Sequence, residues 1–497
     1  MTDSWGLGSG AAAGGRLVTS DEFARTVDER VEEIAVAALD SAMYWHMRDS
    51  AVSAVPGWAD DAAVHIDGDP QNGWRAYFGI APLFVWVRRY PSPLTGATPS
   101  FDAHYLGFDV PDGAVDDKVE PEVPAGLLEE YRAALQEAFE PWRSLQAPEG
   151  IVTGTVVPIM DGMYLVSDEP SALSGSSKPP VLANKDYHDL LARFGDATPH
   201  LKGVAMEYFK SKYVRQLDVV IPNLQYVMGE IAEAALGNAL AVQRARKAVL
   251  AVLDAAIVAM ERAKPGDDYS GYQVALGILG AVVSAAAAFA TGGAAIPFIA
   301  GLGGGLIGTL AGSIPDGDPA DISVTLGAEK PTGVLENIRS ALATTDRELL
   351  TEEQAAAYAA FDQIDLLNAT PGPGQPDPFR LEEPDETRGP LIQADRANMA
   401  VLWDTLPLIA ARLRKAAALL DGAVGNDAVF RHGSVGRSVV GAQQDIAAAG
   451  QEAWTALRAL AEDLDEGAQG LRDLWRDFSD TDGLTRGEFA DIKRELA

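Results

Sequence analysis

The chain contains no cysteine. That excludes disulfides, thiolate metal sites and a cysteine nucleophile. Aromatic residues are sparse, at 7%, and alanine is abundant, a balance that favours helix over sheet. Positive charge is scarce as well. Only 39 Lys and Arg stand against 72 Asp and Glu, a net charge of -33. Nucleic acid and anionic lipid surfaces are polyanions that such a chain repels, so no nucleic-acid partner is expected. The opening "MTDSWGLGSGAAAGG" has no positive region followed by an apolar run. A classical signal peptide is therefore not expected, and export would need another route.

Patterns that carry chemistry are also missing. The six histidines, His46, His65, His104, His188, His200 and His432, show no helix-face metal spacing. "HIDGDPQNG" (65–73) offers Asp67, Asp69 and Asn72 but lacks the closing bidentate glutamate of a calcium loop. "FSDTDGLTRGEF" (478–489) places phenylalanine at both end positions of such a loop, and reads as a helix end followed by an Asp/Gly turn. No phosphate-binding glycine loop and no nucleophile elbow occurs. The sequence predicts no catalytic residue, no metal and no cofactor. It predicts a protein that is not an enzyme.

What is present is helical periodicity. The predicted fold is mainly α: an elongated antiparallel helical bundle with a central apolar helical hairpin, a small mixed α/β insert and a C-terminal helical hairpin. Residues 1–18 are Gly/Ala/Ser-rich and read as disordered. Thr19 to Glu22 forms a capping-box pattern, and Phe23, Val27, Val31, Ile34 and Ala38 follow at helical spacing, giving an N-terminal helix over 19–48. The helical period is lost over 49–184. There "PLFVWVRRY" (82–90) reads as a strand, 124–142 as a helix, and Asp161-Gly162 as a hairpin turn between apolar runs.

A long-helix domain is expected over 185–367. Phe209, Tyr213, Leu217, Leu224, Met228, Ile231 and Leu240 share one stripe, Pro222 should kink the helix, and shorter helices are expected at about 333–344 and 351–367. A Pro/Gly linker follows at 368–390, then a C-terminal helical hairpin with an acidic tail over 391–497. Its helices are expected at 391–421 and 435–478. Trp454, Leu457, Ala461, Leu464, Ala468, Leu471, Trp475 and Phe478 step in a heptad seam.

One stretch stands apart: no charged residue occurs from Tyr269 to Pro315. Two apolar segments, Val274–Ala290 and Ala294–Gly312, suggest a helical hairpin over 272–314. Gly304, Gly308 and Gly312 recur every fourth residue, and Gly301 and Gly305 repeat the step. Glycines on one helix face permit close backbone approach, as in membrane helix packing. These five glycines are the expected membrane-inserting or self-association face. The alternatives are a permanently buried hairpin and an irregular loop.

The long-helix regions resemble the Trp-X-Gly helical-hairpin superfamily of type VII (ESX) secretion. In "RFGDATPHLKGVAMEYF", Leu201-Lys202-Gly203 stands at the Trp-x-Gly position, with leucine for tryptophan, so Leu201 and Gly203 mark the hairpin turn. In "NDAVFRHGSVG", Phe430 and Gly433 stand one residue too far apart. Phe478-x-x-x-Asp482 and Tyr358-x-x-x-Asp362 match the aromatic-x-x-x-acid export motif placed after a helix. The resemblance covers 180–260 and 391–485 and implies export in a folded, often dimeric, helical state. Expected partners are the type VII secretion machinery, further copies in a homo-oligomer, and a membrane. The expected location is cytoplasmic before export, then secreted or at the cell surface. The leading expectation is a membrane-active, pore-forming effector. The second is an oligomeric scaffold or secretion-system component whose apolar hairpin is core or interface. An enzyme with its site in 50–180 is the third, to be recognised by a polar pocket with convergent carboxylates.

Overall fold

The computed structural model describes residues 20–54, 63–80, 83–100, 104–105, 108–109, 118–168, 183–264, 273–276, 322–371, 377–382, 396–424 and 432–495. The fold is mainly helical with a small mixed sheet.

Helix α1 (Ser20–Ala54) buries Phe23, Val27, Val31, Ile34 and Ala38, the stripe read from the sequence. Strands β1 (Ala63–Asp69), β2 (Gly73–Ile80) and β3 (Leu83–Tyr90) form an antiparallel meander. β4 (His104–Tyr105) and β5 (Phe108–Asp109) make a separate short ladder, and β6 (Lys118–Val119) joins β3 in parallel. In the β1–β2 turn, Asp69 Oδ1 accepts from the backbone N–H groups of Gln71 and Asn72, both at 2.8 Å. The acidic "DGDPQNG" segment is thus a side-chain-stapled hairpin turn. Helix α2 (Glu122–Arg143) lies antiparallel to α1, with Arg132 on Glu32 and Arg143 on Asp28.

The Asp161-Gly162 turn is corrected. A short helix α3 (Pro148–Ile151) leads through a wide π turn (Val152–Val156) into α4 (Val157–Leu165), and Gly162 lies inside that helix. A Cβ on Gly162 would stand 3.0 Å from Met228 Cε and 3.3 Å from the Ala416 carbonyl oxygen. The glycine lets α4 pass closely between two other helices, which a local turn signal cannot reveal.

Helix α5 (Lys185–Ala197) is capped by Asn184 and runs through a single 3-10 turn (Thr198–His200) to Gly203, whose φ is +107°. α6 (Val204–Phe209) follows, then a second π turn (Lys210–Arg215), then α7 (Leu217–Glu261). α7 is the axis of the fold. Its whole predicted stripe is buried, and so is most of its remaining surface. α1 lies parallel to its second half, with Arg30 on Asp254, Ser41 bonded to the Met260 carbonyl and Trp45 to that of Ala263.

The apolar stretch begins differently from expectation. Gln273–Leu276 is a strand, β7, paired antiparallel with β8 (Ile322–Thr325). That leaves at most 14 residues, 277–290, of the first apolar segment. Crossing a hydrocarbon core takes about 20. Gly301, Gly304, Gly305, Gly308 and Gly312 lie outside the described residues. Among the described residues no helix is long and apolar enough to cross a membrane. The expectation of a membrane-active, pore-forming protein is corrected on that finding.

The two short helices expected after this stretch are one, α8 (Pro331–Asn368). Residues 377–382 of the Pro/Gly segment pack on α7: Phe379 is buried, Asn223 donates to the Pro378 carbonyl at 2.9 Å, and Gln216 bonds Glu382. α9 (Arg396–Val424) and α10 (Gln443–Glu495) run antiparallel, since Asp404 meets Arg472 and Arg414 meets Asp465. Their heptad seam packs from Leu457 to Leu471. α10 starts later and ends later than predicted. Gly436 and Gly441 hold positive φ in the turns before it, and the helix continues through Gly483. Gly483 and Gly487 cost about 1 kcal/mol each, and the helix continues through both. Buried residues from Phe23 to Leu471 form one continuous core.

Candidate functional site

The expected site residues fall in different places. Leu201 is fully buried under the α5–α6 turn, and Gly203 supplies the left-handed backbone that the turn needs. α5, which precedes the turn, packs chiefly on α9, so the turn joins two helices without building a paired hairpin. Tyr358 and Asp362 lie inside α8 and not after a helix. Both are exposed one turn apart, Tyr358 at 70%, with Phe361 beside them at 50%. Phe478 and Asp482 also lie inside a helix, α10; Phe478 is 38% exposed, and its ring lies 5.6 Å from that of Trp475. Neither motif follows a helix end, because α8 and α10 are longer than the local sequence signals suggested.

The site the structure adds is an apolar groove of about 520 Å³ between the α6–π segment and α10. Tyr208, Phe209 and Tyr213 line one wall, and Gly467, Gly470 and Leu474 line the other. The π turn at 210–215 widens the helix where Tyr213 leaves it. Phe209 and Tyr213 stack with ring centres 5.0 Å apart, and Phe194 of α5 backs Phe209 at 6.1 Å. Tyr213 lies flat on Gly467, where a Cβ would come within 2.6 Å of its ring. A Cβ on Gly470 would meet nothing within 4 Å, so this glycine opens the groove.

Electrostatics separates the two walls. Burial, with Asp463 and Glu466 nearby, pushes the Tyr213 hydroxyl up to about 12, so it stays a neutral donor. Glu466 is the one ionisable residue of α10 that lines the groove. On the other wall Lys210 donates to the Leu201 carbonyl at 2.6 Å and to Glu207 at 2.9 Å, while the Lys212 ammonium sits 5.3 Å from the Tyr213 ring centre. The sequence held one signal of this site: Gly467 and Gly470 stand three residues apart within the heptad-patterned part of α10. Which residues would cross over them was set elsewhere in the chain.

Outside the groove, shifted groups adjoin on α7, where Glu230 bonds the Tyr226 hydroxyl and lies near Glu233. On α7 burial raises Glu230, and burial together with Glu230 raises Glu233 to about 7. His188 Nδ1 lies 2.6 Å from Asp168 Oδ1 at the surface, and among the described residues no hydroxyl bonds that imidazole. Among the described residues no group of three or more acidic or histidine side chains could hold a metal ion. No family model, curated protein or solved structure matches this chain.

Proposed function

We propose that this chain is a non-enzymatic helical scaffold, exported folded by the type VII route that its motifs resemble. It acts by presenting helix surfaces to other proteins. The observation that carries the reading is the outward face of α8, where Tyr358, Phe361 and Asp362 stand together, exposed. Two neighbouring aromatics left in water on a long, ordered helix add nothing to the core, and aromatics of this kind are the usual anchors of protein recognition. The acid one turn from the tyrosine supplies direction and charge. The test is export of the tagged full chain from an actinobacterial host with an intact or disabled type VII system. The reading expects export only from the intact system, and loss of export in Tyr358→Ala with cytoplasmic levels unchanged. Equal export from both hosts, or export indifferent to Tyr358 and Asp362, would overturn it.

A further inference from the structure

We propose that the groove between the α6–π segment and α10 docks a basic amphipathic helix of a partner protein. Its shape suits a helix. Both walls are helical, and the lining along α10 runs from Glu466 to Leu474, about two turns, with the Tyr213 ring resting on Gly467 and the floor open at Gly470. That length accepts apolar side chains at i, i+3 or i+4, and i+7. The floor is open where Gly470 has no side chain, and aromatic along Tyr208, Phe209 and Tyr213. A volume of about 520 Å³ accommodates such a set of anchors.

Charge chooses the kind of helix. Between positions 462 and 480, α10 carries seven carboxylates against two arginines, and of the seven Glu462, Asp465 and Asp473 are ion-paired with Arg458, Arg414 and Arg476. Both arginines are engaged, Arg472 with Asp404 and the Trp403 carbonyl, Arg476 with Asp473. Two cations of the facing segment are held, Lys210 by Glu207 and Lys212 over the Tyr213 ring, and the third, exposed Arg215, lies outside the groove lining. Glu466, at the groove itself, has no ion-pair partner among the described residues. An incoming helix with Lys or Arg beside its apolar face meets this acidic wall, and an acidic helix is repelled. A second copy of this chain, at -33, brings the wrong charge.

The experiment selects from a displayed library of amphipathic helices with a fixed apolar seam and randomised flanking positions. The full-length protein serves as bait, with Gly470→Trp and Glu466→Lys alongside. Gly470→Trp fills the open floor, and circular dichroism and melting confirm that both variants are folded. The proposal expects enrichment of Lys and Arg in the flanks. It expects that enrichment to vanish on Gly470→Trp, and roughly tenfold weaker binding of the selected peptides to Glu466→Lys. Enrichment that survives Gly470→Trp, neutral or acidic flanks, or no enrichment by the folded wild type would overturn it. So would a wild-type dimer in sedimentation that Gly470→Trp abolishes, because the occupant would then be a second copy.

Discussion

The ring of Tyr213 rests on the backbone of Gly467, 254 residues away in sequence and in direct van der Waals contact in the fold. The contact separates two glycines three residues apart. Gly467→Ala drives a methyl group against the ring and should destabilise the protein by about 1–3 kcal/mol, less the helix-propensity gain. Gly470→Ala meets open space and should stabilise by roughly 0.5–1 kcal/mol. Urea melts of the two variants check this; the same sign for both would show that the ring yields freely.

Thr155 joins three distant pieces of chain. Its hydroxyl donates to the Ala423 carbonyl at 3.1 Å and accepts from Gln443 Nε2 at 3.1 Å, so it ties the π turn before α4 to the end of α9 and the start of α10. Thr155→Val keeps the shape and removes both bonds, leaving buried polar atoms without a partner. We expect a loss of about 2–4 kcal/mol in chemical denaturation.

Glu233 predicts a pH dependence of stability. Its native pKa is raised from 4.5 to about 7 by burial and by Glu230. Across that window the unfolded chain holds fewer protons than the folded one, so this group makes stability fall as pH rises from 4.5 towards 7. Glu233→Gln should raise the melting midpoint at ~pH 8 and change it little at ~pH 4. A difference independent of pH would contradict the assignment.

Asn238 lies at the centre of α7 with 0% exposure, and among the described residues neither amide atom has a hydrogen-bond partner. Asn238→Leu, nearly the same shape, removes an unsatisfied buried amide and should stabilise the fold by about 1–3 kcal/mol. Destabilisation instead would mean that a bound water satisfies the amide.

Periodicity along the chain determined much of the fold. The stripes of α1 and α7 and the seam of α10 were legible because a helix repeats within a few residues, and burying that face is the main gain. The helix around 124–142 was legible for the same reason, and the strand at 83–90 from a short run rich in Val and aromatic residues. Helix ends were less so. Gly483 lies within α10, because the cost of one glycine is small beside the cooperativity of a long helix. Asp161-Gly162 carried the chemistry of a hairpin, yet the closeness of Met228 and Ala416 required a glycine there in a helix. The start of the apolar stretch became strand because β8, across 45 intervening residues, offered its backbone as a partner. The groove belongs wholly to the tertiary level. The sequence determined that Gly467 and Gly470 would leave α10 without side chains. Only the packing of the α6–π segment decided that Tyr213 would cover one and leave the other open, because a side chain's neighbours across a bundle depend on how distant helices cross.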